Sequence, residues 1–342
     1  MAQKKYYQLK TSSRLDWLKA RSNFIGASEI SAIAGLDEYT PKVSVWEKKT
    51  NQVSIDDKQN NYTLFGHVAE NFLSSYYEYG EFYNNVFLPD TYDFNVENKN
   101  KLRSVQKVNG LLVNLKYPMF ACTPDRIIKN NPDYPNQRGL VEIKTIGFEA
   151  DKWEMGVPPK YVLQCQWQML ITGFDYVDLL LYNRMDCSTT IFHIERRQDT
   201  IDTLINLGLE FWSLVENTRE FLFDKDVQNL TREEVAQLRL LRPSMEIEEY
   251  ATKGMTDYLK EKYKDRGGFM QGNDELLQFA KQSLLMKIKE EEAKAQSEAF
   301  RNCIKDHIGE YSGVDFGEKG EITYKANVKG VRSLLIKIKA NA

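Results

Sequence analysis

The sequence predicts an α/β fold, a small sheet flanked by helices, followed by a mainly helical C-terminal extension. Three observations predict it. Short apolar runs separated by Asn, Pro and Gly turns fill the middle of the chain. Helical periodicity flanks and interrupts those runs. From about residue 225 the pattern is mostly helical and more charged, so the chain is divided at 1–224 and 225–342. A length of 342 residues fits one large domain or a core domain with an appendage, and 42% hydrophobic and 12% aromatic residues exclude global disorder.

In order, residues 12–36 read as a helix, a short loop and a second helix. Ser12 or Ser13 caps the first, which carries Leu15, Trp17 and Leu18; the second starts near Ser28 and ends at Gly35. Val43–Thr50 reads as helical and Asn51–Tyr62 as loop. Phe65–Tyr79 is a helix, with Phe65, Val68, Phe72 and Tyr76 as its apolar stripe and Gly80 at its end. Strands are expected around Phe87, Tyr92, Phe94 and Val96, then at Leu111–Leu115 and Met119–Ile128. Asn130–Arg138 is a loop by composition and Leu140–Thr145 a strand. A helix at Pro159–Thr172, strands at Val177–Asn183 and Thr189–Glu195, and a long amphipathic helix at Asp199–Phe223 complete the core. Thr231 with Glu234 forms a capping box. Asn273–Ile308 reads as one long helix, Gly309–Gly320 as a turn region and Glu321–Lys325 as a short strand. The end of the chain is basic, with Lys325, Lys329, Arg332, Lys337 and Lys339; it reads either as a solvated, flexible terminus or as a DNA contact.

The net charge of −3 does not mark a nucleic-acid binder, so any contact with DNA must come from a local basic surface. The four cysteines, Cys122, Cys165, Cys187 and Cys303, are widely spaced without a Cys-x-x-Cys, which fits reduced thiols in a cytoplasm better than a disulfide framework or zinc ribbon. The same spacing speaks against an iron–sulfur cluster. No apolar leader precedes the first helix and no run is long enough to span a bilayer, so a soluble, cytoplasmic protein is expected.

The chemistry concentrates in Thr123-Pro124-Asp125 and Glu142-Ile143-Lys144. In a strand, residues two apart share a face, so Glu142 and Lys144 project together. A neighbouring strand ending at Asp125 brings its carboxylate beside them. Two carboxylates with the carbonyl of Ile143 make a hard oxygen site suited to Mg²⁺ or Mn²⁺. Such a metal stabilises charge on a scissile phosphate and acidifies a bound water, which Lys144 is placed to orient. Glu-x-Lys alone is weak, since it recurs at Glu47–Lys49 and Glu292–Lys294; both of those sit in polar helical contexts and read as solvated faces. Glu142-x-Lys144 differs because it lies in an apolar strand, where unpaired charge is costly. Glu70 in the Phe65–Tyr79 helix is a further candidate metal-facing carboxylate. Gln164 and Gln168, four apart, share a helix face in an apolar setting, and either reads as a site amide or as surface polarity.

The Pro-Asp, the Glu-x-Lys and the following Gln-containing helix resemble the PD-(D/E)XK nuclease superfamily, whose restriction-endonuclease-like core is a small mixed sheet flanked by helices. The ordered set Trp17–Arg21, Ile25–Glu29, Gly66 with Glu70, Thr123–Asp125, Glu142–Lys144 and Tyr161-x-x-Gln164-x-Gln166 is similar to the YqaJ viral recombinase family, which includes the lambda-type phage exonucleases. The similarity covers roughly residues 12–220 in family order. It implies a Mg²⁺-dependent alkaline exonuclease that digests the 5′ strand of linear duplex DNA and leaves a 3′ overhang for a single-strand annealing protein of the RecT/Bet type. It further implies Asp125 and Glu142 as metal ligands, Lys144 positioning the water, Glu70 at a second metal or its water shell, Gln164 lining the site, and Arg21 with Ser28 binding the 5′ phosphate. For the last pair, Arg offers a charge-assisted fork, and a Ser at a helix start adds a hydroxyl beside free backbone N–H groups. A homo-oligomer, in particular a trimeric ring, is also implied. Residues beyond about 225 lie outside the similarity and read as an oligomerisation arm or partner surface. Two other readings stay open: an endonuclease of the same superfamily, and a catalytically inactive DNA-binding or assembly protein on the same fold.

Overall fold

The computed structural model of the chain describes residues 4–53, 61–79, 101–264, 267, 271–327 and 329–339. The chain divides into two compact units, Met1–Lys264 and Asp265–Ala342. The strands expected around Phe87, Tyr92, Phe94 and Val96, and the helix end expected at Gly80, lie outside the described residues. No described helix is long and apolar enough to cross a membrane.

The first unit begins with β1 (Tyr6–Leu9), α1 (Arg14–Arg21), α2 (Ile30–Ile33), α3 (Lys42–Lys49) and α4 (Asn61–Tyr79). Strands β2 (Ser104–Lys107), β3 (Leu111–Asn114), β4 (Ala121–Cys122), β5 (Arg126–Asn130) and β6 (Gly139–Ile146) follow. Then come α5 (Pro159–Thr172), β7 (Tyr176–Asn183), β8 (Thr189–Glu195), α6 (Gln198–Leu222), α7 (Arg232–Leu240) and α8 (Lys253–Tyr263). The central sheet has five strands in the order β2-β5-β6-β7-β8. Only β6 and β7 are parallel, joined through α5, and the other ladders are antiparallel. This is the small mixed sheet flanked by helices that the sequence predicts.

Strand alternation sorts the side chains of β6 and β7 into two layers. Leu140, Val177, Leu179 and Leu181 pack with Trp167 and Met169 of α5, Phe211 and Val215 of α6, and α2 and α3. Val141, Tyr176 and Leu180 pack on the opposite face against Leu73 and Tyr77 of α4. The apolar stripe expected on α4 is therefore not the buried one. Phe65 and Val68 are exposed, at 40% and 70%, whereas Leu73 and Tyr77 are fully covered, because the sheet selects the face that packs.

A second, three-stranded sheet has the order β1-β3-β4. The single strand expected over Met119–Ile128 is thus two short strands in two different sheets. Thr123-Pro124-Asp125 carries the chain between them, and Pro124, lacking an N–H, suits a break in the ladder.

The change of texture at residue 225 does not coincide with the division between units. Met255 of α8 is buried in the main core. Tyr258 donates a hydrogen bond to Glu47 Oε1 at 2.8 Å, and Lys262 pairs with the same carboxylate. Glu47 is 5% exposed and Lys49 1%, so this Glu-x-Lys of α3 is buried rather than solvated. The Glu292–Lys294 repeat is exposed, as expected.

The second unit carries α9 (Asp274–Ile308), capped by Asn273, and a sheet of β9 (Gly313–Asp315), β10 (Gly320–Ala326) and β11 (Arg332–Ile338) in the order β11-β10-β9. Ile304 and Ile308 pack with Ile322 and Leu334. The basic end of the chain is consequently a strand and not a flexible tail. Arg332 is spent on backbone, donating to Gly309 O at 2.6 Å and Tyr324 O at 2.8 Å.

Candidate active site

The site lies where β5 and β6 part. Their ladder consists of Arg126 opposite Val141 and Ile127 opposite Leu140, so from Glu142 onward the edge of β6 on that side has no strand partner. Asp125, the residue before β5, fills the place. The Ile143 N–H donates to Asp125 Oδ2 at 2.7 Å. Within a strand, the N–H and C=O of one residue point to the same side, so the Ile143 carbonyl is directed to this edge as well. Asp125 therefore meets Glu142 and Lys144 as expected, although from the start of β5 and not from the end of the strand before it.

Glu142 and Lys144 face the α5 layer. Glu142 is 4% exposed and held by three donors. Lys144 Nζ and Gln164 Nε2 reach its Oε1 at 2.6 and 2.5 Å, and Gln168 Nε2 reaches its Oε2 at 2.6 Å. The spacing of Gln164 and Gln168 thus delivers both amides to one carboxylate. Gln166 does not join them; it bonds Glu195 O and the Arg197 N–H, tying α5 to β8. Lys144 Nζ lies 5.2 Å from the centre of the Tyr161 ring, which stacks on Trp153.

Asp125, Glu142 and Lys144 act on one another through their charges. Burial, then the neighbouring charges of Glu142 and Glu70, push the Asp125 carboxyl well above the usual carboxylate range, against the pull of Lys144 and the Ile143 N–H. Burial opposes the charge of Lys144, but Glu142 and Asp125 outweigh it and hold its pKa above the ordinary value. Lys144 is accordingly a fixed cation, suited to orienting a water or a phosphate oxygen rather than to removing a proton.

Glu70 projects from α4, on the other layer. Arg126 Nη1 donates to Glu70 Oε1 at 2.5 Å and to the Asp125 carbonyl at 2.6 Å, and Arg126 Nη2 reaches Asn71 Oδ1 at 2.9 Å. Glu70 is therefore brought to the edge of the site as the ion partner of Arg126. Among the described residues, no three His, Cys, Asp or Glu side chains converge as a metal cage. The oxygens that would hold a metal here are those of Asp125, Glu142 and the Ile143 carbonyl; all are hard donors, a set suited to Mg²⁺ or Mn²⁺, which are held by one or two carboxylates and keep several waters. One further observation agrees with a solvated ion here: Gln168 Oε1 is buried without a hydrogen-bond partner.

Arg21 and Ser28 are brought together. Arg21 Nη2 donates to Ser28 Oγ at 2.6 Å, and the guanidinium lies 5.1 Å from the Trp17 ring. Trp17 Nε1 in turn reaches Thr123 Oγ1 at 3.4 Å, and Ile25 bridges Phe120, so this pair is pinned to the segment that leads into Asp125. The helix start expected at Ser28 is a correction. The helix α2 is only four residues long and starts at Ile30, so Ser28 offers its hydroxyl without a helix N-terminus behind it.

Residues 16–175 match the model of a protein family described as the YqaJ-like viral recombinase domain. That segment is similar to the YqaJ-like viral recombinase domain. It contains Asp125, Glu142, Lys144, Glu70, Gln164, Arg21 and Ser28. The uncharacterized protein YqaJ of Bacillus subtilis (strain 168) is 24% identical over 204 residues, which span 59% of this chain and 56% of that relative. Solved structures similar to this chain include two exonucleases. An alkaline exonuclease, LHK-Exo, from Laribacter hongkongensis matches with a TM-score of 0.47 at 19% identity, over 66% of this chain and 99% of its own. A phage-related exonuclease from Haemophilus somnus 129PT matches with a TM-score of 0.34 at 12% identity, over 62% and 97%.

Sequence reasoning missed Arg126, which claims Glu70, and the pair Glu29–Lys49 beneath Arg21. Arg126 follows Asp125 directly, but its partner lies on a distant helix, and nothing local signals it.

Proposed function

We propose that this chain is a divalent-metal-dependent exonuclease that removes the 5′-phosphorylated strand from an end of linear duplex DNA, leaving a 3′ overhang for a single-strand annealing protein. The observation that carries the reading is the corner at which β5 leaves β6, where Asp125, Glu142, Lys144 and the Ile143 carbonyl meet. The YqaJ-like domain and the Arg21–Ser28 pair support it.

Asp125, Glu142 and the Ile143 carbonyl would hold the metal. Bound there, a Mg²⁺ or Mn²⁺ supplies charge stabilisation at the scissile phosphate and lowers the pKa of the attacking water. The residues do the rest by positioning. Gln164 and Gln168 fix the Glu142 carboxylate, and Lys144 keeps its proton and orients the water or a phosphate oxygen. Arg21 and Ser28 grip the terminal phosphate, with Trp17 holding the guanidinium plane. The same proposal includes a homo-oligomer threaded by DNA.

The test is digestion of linear duplex carrying 5′-phosphate or 5′-hydroxyl ends, and of closed circular DNA, with Mg²⁺ or chelator. The expected result is Mg²⁺-dependent loss of the 5′-phosphorylated strand, reduced roughly a hundred- to a thousandfold in Asp125→Ala and Lys144→Ala, the scale of losing one transition-state charge contact. Efficient cutting of the circle favours an endonuclease and sinks the exonuclease reading. Wild-type activity in Lys144→Ala sinks the site.

A further inference from the structure

Below Arg21 lies a buried ion cluster. Lys49 Nζ sits 2.8 Å from Glu29 Oε2 and 2.9 Å from Oε1, and donates to the Arg21 carbonyl at 3.0 Å. The Gly26 N–H donates to Glu29 Oε2 at 2.8 Å. A Cβ at Gly26 would stand 3.2 Å from that oxygen and 3.5 Å from Arg21 Nε, so the backbone there passes tightly between the two side chains. Arg219 of α6 closes the cluster from behind, donating to Lys49 O at 2.8 Å and Ser22 O at 3.1 Å. Two cations, Lys49 and Arg21, thus flank one carboxylate.

Glu29 is a competitor for any anion that Arg21 is meant to bind. Its Oε1 is 3.6 Å from Arg21 Nη2, an ion pair beyond hydrogen-bond range. A carboxylate with no other partner would take the guanidinium in a bidentate fork. Here both oxygens are already engaged, by Lys49 and by the Gly26 N–H. Arg21 is left donating to the exposed Ser28 hydroxyl.

We propose that Lys49 is a positioning residue for end recognition: by neutralising Glu29 it keeps the Arg21 guanidinium available to a terminal phosphate, and so sets the preference for 5′-phosphorylated over 5′-hydroxyl ends. This rests on the reading of Arg21 and Ser28 as the phosphate site. Lys49 itself touches no substrate. Its charge acts through Glu29.

The experiment compares kcat/KM on 5′-phosphate and 5′-hydroxyl duplex for the wild type, Lys49→Met, and the double variant Glu29→Gln, Lys49→Met, each checked by thermal melting. In Lys49→Met, Glu29 closes on Arg21, and the phosphate preference falls at least about tenfold, the scale of one lost charge-assisted contact, mainly through KM. In the double variant the competitor is also gone, and most of the preference returns. A purely structural role for Lys49 predicts the reverse, since the double variant is no better packed than the single. An unchanged preference in Lys49→Met overturns the proposal. So does a folded double variant without the preference, which decides the matter even where Lys49→Met fails to fold. A wild type that digests both ends equally overturns the underlying phosphate reading, and the proposal with it; that outcome is visible before any variant is made.

Discussion

Asp125 receives the Ile143 N–H on one carboxylate oxygen while sharing a half-buried corner with Glu142. Burial and the charges of Glu142 and Glu70 hold its carboxyl well above the ordinary range. A metal ion needs the ionised form, so binding must displace a proton at any pH below that raised value. Divalent-metal affinity therefore rises with pH and levels off once pH has passed the Asp125 pKa. Calorimetric titration of Mn²⁺ in buffers of different ionisation enthalpy should show a proton released on binding at low pH and none on the plateau. A pH-independent affinity without proton release would refute this account of Asp125. The shared face of Glu142 and Lys144 and that of Gln164 and Gln168 are legible in the sequence because each is local, a strand period of two and a helix period of four. The roles of Lys49 and Arg126 were not legible. The buried Glu47-x-Lys49 and the exposed Glu292-x-Lys294 are the same pattern in sequence, and only tertiary partners, Glu29 for one and bulk water for the other, tell them apart.

At the scale of elements, β6, α5, β7 and β8 could be placed from pattern alone, because each is a run of strand or helix character bounded by turn residues or by Gly173. The elements that were missed are short and depend on distant partners. Tyr6–Leu9 becomes a strand only by pairing with Leu111–Asn114, and Arg332–Ile338 only by pairing with Gly320–Ala326. The docking of α8 shows the same dependence in testable form. The Gly254 N–H donates to Glu38 O at 2.8 Å, and a Cβ on Gly254 would lie 2.2 Å from the Tyr39 carbonyl oxygen. Backbone cannot yield there as a flexible side chain would. Gly254→Ala is expected to cost on the order of 2 kcal/mol, the usual penalty for forcing a methyl group into a filled space, despite the better helix propensity of Ala. Equilibrium urea unfolding measures this, and a variant as stable as wild type would show that α8 is not docked as described.

For the whole molecule, the placement of residues 225–264 decides where the chain can be divided. α8 brings Met255 into the main core and Tyr258 and Lys262 to the buried Glu47, so these residues complete the first unit and do not begin the second. A chain ending at Lys264 should retain every partner described for the candidate site. A chain ending at Asp224 removes both the cation and the cover from Glu47 and opens the core at Met255. Losing the packing of one buried side chain such as Met255 costs roughly 2–5 kcal/mol. For a unit of this size each kcal/mol moves the midpoint by roughly 2–4 °C, so the shorter chain should melt lower by on the order of 10 °C or more. Calorimetry of the two truncated proteins beside the full chain tests the division. The expected outcome is a first-unit transition near that of the full chain for residues 1–264 and a depressed one for residues 1–224. Equal midpoints for the two would return the boundary to residue 224 and leave α7 and α8 as an accessory. The nuclease assay on residues 1–264 then separates the two units functionally: retained digestion of 5′-phosphorylated ends assigns the proposed chemistry to the first unit and leaves α9 and its sheet for other work.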